Sequence, residues 1–251
     1  MTRQTGFSLV ELAMVLFIIS LLLGGLLVPL ASQLEARQRN ETQEQLDRIK
    51  EALIGFAIIN GRLPCYTTQA DPANANYGIE DVVCNPTGLT TDGILPWKTL
   101  GLDKASDPWG VQRTASTDPW SGYWRYRVDA AFLPFPPSNF TLATTVSSHL
   151  SVVELNPTAS TPGSPVKDDL ISSTERAVAV VYTTGANGTA DGENATYEAT
   201  PTQAIPAEYE GGAGSNLDRD GDGNEDEFDD ITVWLTRPLL FTRMVAAGTL
   251  P

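Results

Sequence analysis

Residues 6–31 read GFSLVELAMVLFIISLLLGGLLVPLA. From Phe7 to Ala31 the run is apolar but for Ser8, Glu11, Ser20 and its glycines, and it is long enough to cross a bilayer core. A carboxylate placed in hydrocarbon costs about 3 kcal/mol on insertion scales, so the lone Glu11 near the start of the run requires a reason. A cleaved secretory signal wants a shorter apolar core, and a cut after Ala31 would put Pro29 at the upstream recognition position. A lipidated signal is excluded because no Cys follows the run directly. A retained membrane helix over 7–31 fits the length. Charge does not orient it, since Arg3 precedes the helix and Arg37 and Arg39 follow it.

The helical pattern continues beyond the apolar run. In 32–60, Leu46, Ile49, Leu53 and Phe56 recur at spacings of three and four, with Glu44, Asp47, Arg48, Lys50 and Glu51 on the remaining faces. Glu44 and Arg48 stand four apart in the favourable order. Asn60-Gly61 supplies a stop and Pro64 blocks continuation. At 1.5 Å per residue a helix from Phe7 to Ile59 is roughly 80 Å long. Gly24, Gly25 and Pro29 are its weak points, where a bend or an unwound stretch is expected.

Residues 62–118 are rich in Gly, Pro and Asp and predict long loops pinned by Trp97 and Trp109. Strands are predicted at 121–132 (SGYWRYRVDAAF), 140–147 (FTLATTVS), 175–185 (ERAVAVVYTTG, the strongest signal) and 231–236 (ITVWLT). The tail 237–251 predicts a short amphipathic helix that packs Leu240, Met244 and Val245 onto the sheet. The expected fold class is α+β: one long N-terminal helix whose outer half packs on a small antiparallel sheet, with long loops, and a single globular domain over 61–251.

Net charge is −15, and the acidic excess is concentrated between Asp168 and Asp230. Such a surface repels nucleic acid and anionic lipid and attracts cations. Within the acidic loop 216–230, Asp218, Asp220, Asp222 with Gly223, Asp226 and Asp229 have the one-three-five-nine-twelve spacing of oxygen ligands around Ca²⁺. Asn216, Asp218, Asp220 with Gly221, Asn224 and Glu227 give a second register. The alternative is a solvated acidic loop. Cys65 and Cys84 are the two cysteines of the chain. In an exported domain they are expected to form a disulfide contributing about 3 kcal/mol; the alternative is two buried free thiols. Trp97, Trp109, Trp120, Tyr123, Trp124 and Tyr126 offer either a sugar-binding platform or, more commonly, anchors that fix loops to a core. His149 stands alone, and no catalytic set emerges, so an enzyme is not expected.

The stretch GFSLVELAMVLFIISLL resembles the prepilin signature of type IV pilins and pseudopilins: a Gly, a Phe beside it, a Glu four residues after that Phe, and an apolar helix. The resemblance implies a leader over 1–6, cleavage between Gly6 and Phe7 by a membrane prepilin peptidase, and N-methylation of Phe7. DPWSGYWRYRV resembles the Asp-Pro-Trp-Gly-x-x-Tyr stretch of the major pseudopilin of type II secretion, with Ser121 inserted and a second Asp-Pro-Trp-Gly at 107–110. TTGANGTADGEN, with DDITVWL later, resembles the segment where that family binds calcium. The implied protein is a structural subunit that assembles through its N-terminal helix into a pseudopilus or type IV pilus, for secretion or a related surface function. Its partners would be the peptidase, other pilin subunits, an inner-membrane assembly platform and, before assembly, membrane lipid. It would cross the bacterial inner membrane once with its domain in the periplasm, or stand outside the cell in a filament. Glu11 would pair with the amino group at Phe7 of a neighbouring subunit; the alternative is a Glu that snorkels to the interface. A rival reading is a membrane-tethered binding or adhesin module that uses the Trp-rich loops.

Overall fold

Ser8-Leu9-Val10-Glu11 opens the first helix, α1 (Leu9–Asn60), as a capping box. The Ser8 Oγ accepts from the Val10 N–H at 3.4 Å, and the Glu11 Oε2 accepts from the Ser8 N–H at 2.9 Å. The computed structural model describes residues 8–82, 89–110, 122–133, 141–146, 150–156, 158–172, 176–195, 202–204, 207–211, 218, 221–223 and 228–250, with 21–32, 89–91, 193, 202–204 and 207 described as backbone only. The chain divides into two units, 1–41 and 42–251.

In the first unit the apolar side chains from Leu9 to Ile19 are all exposed. Backbone helix continues through Gly24, Gly25 and Pro29, so the unwinding expected there is not found: about 1 kcal/mol at each Gly and about 3 kcal/mol at Pro29 do not stop a helix that is already nucleated and extended on both sides. Among the described residues no helix is long and apolar enough to cross a membrane.

The second unit has three layers. The outer part of α1 buries Leu46, Ile49, Leu53, Ile54 and Ala57. Phe56, expected in that stripe, is half-buried with the Arg62 guanidinium 5.1 Å from its ring centroid, and Ala57 takes the core position. The helix ends where the Asn60 amide donates to the Phe56 carbonyl and Gly61, at φ 66°, donates to Ala57, a conformation that favours glycine.

Beneath α1 lies a four-stranded antiparallel front sheet in the order β2 (Gly93–Ile94), β3 (Arg125–Val128), β6 (Ala177–Thr183), β9 (Ile231–Thr236). Its face toward α1 carries Tyr126, Val128, Ala179, Val181 and Leu235. Helix α2 (Arg237–Ala246) returns Leu240, Phe241 and Met244 to this core. Val245, expected there, is 47 % exposed, because it follows Met244 by one residue and so turns about 100° away.

A back sheet covers the other face. It consists of β5 (Lys167–Asp169), β4 (Leu150–Leu155) and β8 (Ala207–Glu210), with β4 and β8 parallel. Leu150, Val152 and Tyr209 pack there against Val180 and Tyr182. A further pair joins β1 (Leu89–Thr91) to β7 (Thr202–Ala204). The expectation of one small antiparallel sheet is therefore corrected to several sheets, one holding a parallel pair. Residues 141–146 of the strand expected at 140–147 form a turn and irregular backbone, fixed by the Thr141 and Thr144 side chains and by Arg237 donating to the carbonyls of Leu142 and Thr144. Between the sheets, fully buried Asp92 accepts from Arg125, Tyr182 and Tyr209. Burial raises its pKa, opposed by Arg125 and Arg127.

Candidate functional site

The antiparallel register pairs Thr183, the last residue of β6, with Ile231, the first of β9. The loop after β6 therefore lies beside the two residues before β9, Asp229 and Asp230. Gly188 donates to Thr184, and the Thr189 N–H donates to the Asn187 side chain at 2.7 Å. A 3₁₀ turn (Gly192–Asn194) follows. This path brings Asp191 against Asp229 and Asp230, with one oxygen of each within 4.8 Å of the others, and among the described residues it is the one such group of three.

Main-chain donors hold one side of each carboxylate. The Asp229 N–H donates to Asp191 Oδ2 at 3.1 Å, the Asn187 N–H to Asp229 Oδ2 at 2.9 Å, and the Asp191 N–H to Asp230 Oδ2 at 3.0 Å. Asp229 and Asp230 are 2 % and 4 % exposed, yet the Oδ1 of each lacks a hydrogen-bond partner. Gly185, at φ 58°, lies against this group; a Cβ there would come within 2.5 Å of the Asp229 Cγ and Oδ1. Burial raises Asp191 to about 6, with the Asp229 carboxylate adding to it, and pushes Asp230 well above the usual carboxylate range. The loop Asp107-Pro108-Trp109-Gly110 closes the neighbouring side: Asp107 accepts from the Thr183 hydroxyl and from the Trp109 and Gly110 N–H groups.

Two orphaned, buried carboxylate oxygens beside a third carboxylate fit a hard cation. Hard divalent cations such as Ca²⁺ take about six to eight oxygen ligands at 2.3–2.6 Å, carboxylates foremost. Asp191, Asp229 and Asp230 are the residues that would hold it.

Of the ligands read from spacing, Asp229 belongs to this group. Asp218 does not: its carboxylate accepts from Gly221 and Gly223 at 2.6 and 3.0 Å, and its carbonyl accepts from Gly163. Asp222 is exposed. Asp220, Asp226, Asn216, Asn224 and Glu227 lie outside the described residues. Spacing missed Asp191 and Asp230 because loop periodicity registers ligands from one segment, and these come from two strand ends far apart in the chain. The available signal was the resemblance of TTGANGTADGEN and DDITVWL to a calcium segment.

Cys65 is fully buried and no free thiol occurs among the described residues; Cys84 lies outside them. Arg62 and Glu80 form a two-point ion pair at 2.8 Å, and Glu80 also accepts from the Cys65 N–H. Among the described aromatic residues, several serve packing. Trp124 and Tyr126 are buried in the front core. Tyr77 meets Trp97 and Tyr123 edge-on, and Lys98 lies 5.1 Å from the Tyr77 and Trp97 rings. Trp120 and His149 lie outside the described residues, as do Gly6 and Phe7.

Residues 1–27 match the family described as the prokaryotic N-terminal methylation motif. The chain thus carries a prepilin-type N-terminus, which supports its membership of the type IV pilin and pseudopilin family. That family motif suggests a structural subunit rather than an enzyme. No curated protein and no solved structure matches the chain.

Proposed function

We propose that the protein is a prepilin-like structural subunit that is cut after Gly6, methylated at Phe7 and assembled through α1 into a filament. The methylation motif carries this reading. The exposed apolar side chains of the first unit support it, because Leu9 to Ile19 require lipid or other helices around them. Before assembly, residues 7–31 would cross the inner membrane, with 42–251 on the periplasmic side. There the Glu11 carboxylate satisfies its own helix start through Ser8; on assembly it would pair with the Phe7 amino group of a neighbour. A prepilin peptidase and an inner-membrane platform are the implied partners. We further propose that Ca²⁺ binds at Asp191, Asp229 and Asp230, and that Cys65 pairs with Cys84.

Intact-mass analysis of protein from its native host tests processing and pairing together. The expected chain begins at N-methyl-Phe7 and weighs two hydrogens less than its reduced form. An uncut Met1, or a start near Ser32, overturns the prepilin reading; a mass unchanged on reduction overturns the disulfide. Glu11→Ala should leave membrane insertion intact and accumulate monomers in crosslinked native membranes, whereas normal filaments would leave Glu11 a snorkelling residue.

A further inference from the structure

Asn194 is fully buried at the end of the 3₁₀ turn and uses its side chain in three directions. Its Nδ2 donates to Asp230 Oδ2 at 2.9 Å and to the Glu210 carbonyl at 3.2 Å. Its Oδ1 accepts from the Glu210 N–H at 3.0 Å. The side chain thus clamps both main-chain groups of the last residue of β8, as a paired strand residue would. Glu210 is also where the back sheet meets the edge of the front sheet: the Thr232 hydroxyl of β9 donates to its carbonyl at 2.8 Å. The next residue, Gly211, donates to Val153 of β4 and lies against Val152, Thr232 and Trp234.

We infer that Asn194 is a positioning residue that couples the carboxylate centre to the back sheet: a cation on Asp191, Asp229 and Asp230 fixes Asp230, Asp230 fixes Asn194, and Asn194 holds β8. The inference rests on the cation reading of the site. The two oxygens of Asp230 divide the work. Oδ1 is buried without a partner and is left for the cation, while Oδ2 receives Asn194 and the Asp191 N–H. A cation on Oδ1 fixes the orientation of the carboxylate, and with it the place of the Oδ2 to which Asn194 donates. Without the cation nothing fixes Oδ1, Asp230 is free to turn away from its carboxylate neighbours, the Asp230–Asn194 bond weakens, and the clamp on Glu210 loosens with it. Because β8 pairs with β4 over Leu150–Val153 and Ala207–Glu210, the effect reaches the centre of the back sheet.

The test is hydrogen–deuterium exchange on the full chain in detergent micelles, titrated from chelator into millimolar CaCl₂, with calorimetry alongside. In the unaltered chain, exchange at 185–191 and at 207–211 should slow together, with one midpoint and by roughly tenfold, the scale of one net hydrogen bond. In Asn194→Ala, calorimetric binding and slowing at 185–191 should persist while calcium no longer slows 207–211. Calcium binding that leaves 207–211 unchanged in the unaltered chain overturns the coupling and leaves the cation reading standing. Calcium-dependent protection of 207–211 that survives in Asn194→Ala overturns it too. Absence of calcium binding overturns both. Should Asn194→Ala fail to fold, the titration of the unaltered chain still decides.

Discussion

At the scale of single residues, the carboxylate centre depends on the absence of a side chain as much as on the three present. Gly185 combines a left-handed backbone with close approach to Asp229. Gly185→Ala would place a Cβ 2.5 Å from the Asp229 Cγ and Oδ1 and add about 1–2 kcal/mol of left-handed strain. Gly101→Ala is the control: it shares a positive φ, 71°, but nothing lies within 4 Å of its Cβ position. Both variants should lower Tm in chelator, and Gly185→Ala alone should lose the rise in Tm caused by calcium. A full calcium increment in Gly185→Ala would mean that Asp229 is not a ligand. Glu11 shows how a short motif can hold two meanings. Its distance from Phe7 signals the prepilin pattern, while its distance from Ser8 makes the Ser-x-x-Glu box that closes its own helix start.

At the scale of elements, β6 is the central strand, buried along its whole length from Ala177 to Thr183. The register shift between Ala177 and Ala179 puts Val178 on the same side as Ala179 and Val181, against α1, and leaves Val180 and Tyr182 to the back sheet. Had the protein only one sheet, Val180 would face water and its truncation would be nearly neutral. Val180→Ala and Val181→Ala should instead each destabilise by about 2 kcal/mol, from two lost carbon groups at about 0.8 kcal/mol each plus the cavity. Urea unfolding of the full chain in detergent measures this, and a Val180→Ala midpoint equal to that of the unaltered chain would refute the two-sided core. The continuous apolar run AVAVV was legible as a strand, and its lack of alternation was itself the signal of a second covering layer. The parallel pairing of β4 with β8 was not legible, because it joins segments far apart in sequence.

At the scale of the whole molecule, the acidic excess and the buried centre link cation binding, protons and stability. In chelator, Asp191 sits at about 6 and Asp230 is pushed well above its usual value, both through burial. A carboxyl raised in the folded state gives stability that is fully present below its unfolded pKa and is lost as pH rises through the folded one. The cation-free protein therefore loses this contribution on going from pH 4 to above 6, while calcium, which binds the ionised form, opposes the loss. The calcium increment in Tm should be small at pH 4 and grow as the pH rises through about 6, where Asp191 ionises. At a hundredfold excess over Kd it corresponds to about 2.7 kcal/mol, or roughly 5–10 °C for a chain of this size. An increment that is equal at both pH values would exclude the buried carboxylates as its source.

Local order along the chain accounts for one set of features. These are the long helix and its stop at Gly61, the prepilin motif around Phe7 and Glu11, strands β3, β6 and β9, the C-terminal helix, and the presence of a cation-attracting acidic region. Each follows from periodicity, capping or a short contiguous pattern, which neighbouring residues express without help from the rest of the chain. Tertiary structure alone decided that a second sheet covers the first and that Asp92, Arg125, Tyr182 and Tyr209 join the two. It also decided that Asp229, one of the evenly spaced residues of the acidic loop, meets Asp191 and Asp230, while the Asp218 carboxylate accepts from Gly221 and Gly223. The reason is the pairing of β6 with β9: register between two strands sets which distant residues become neighbours, and spacing along one segment carries no record of that register.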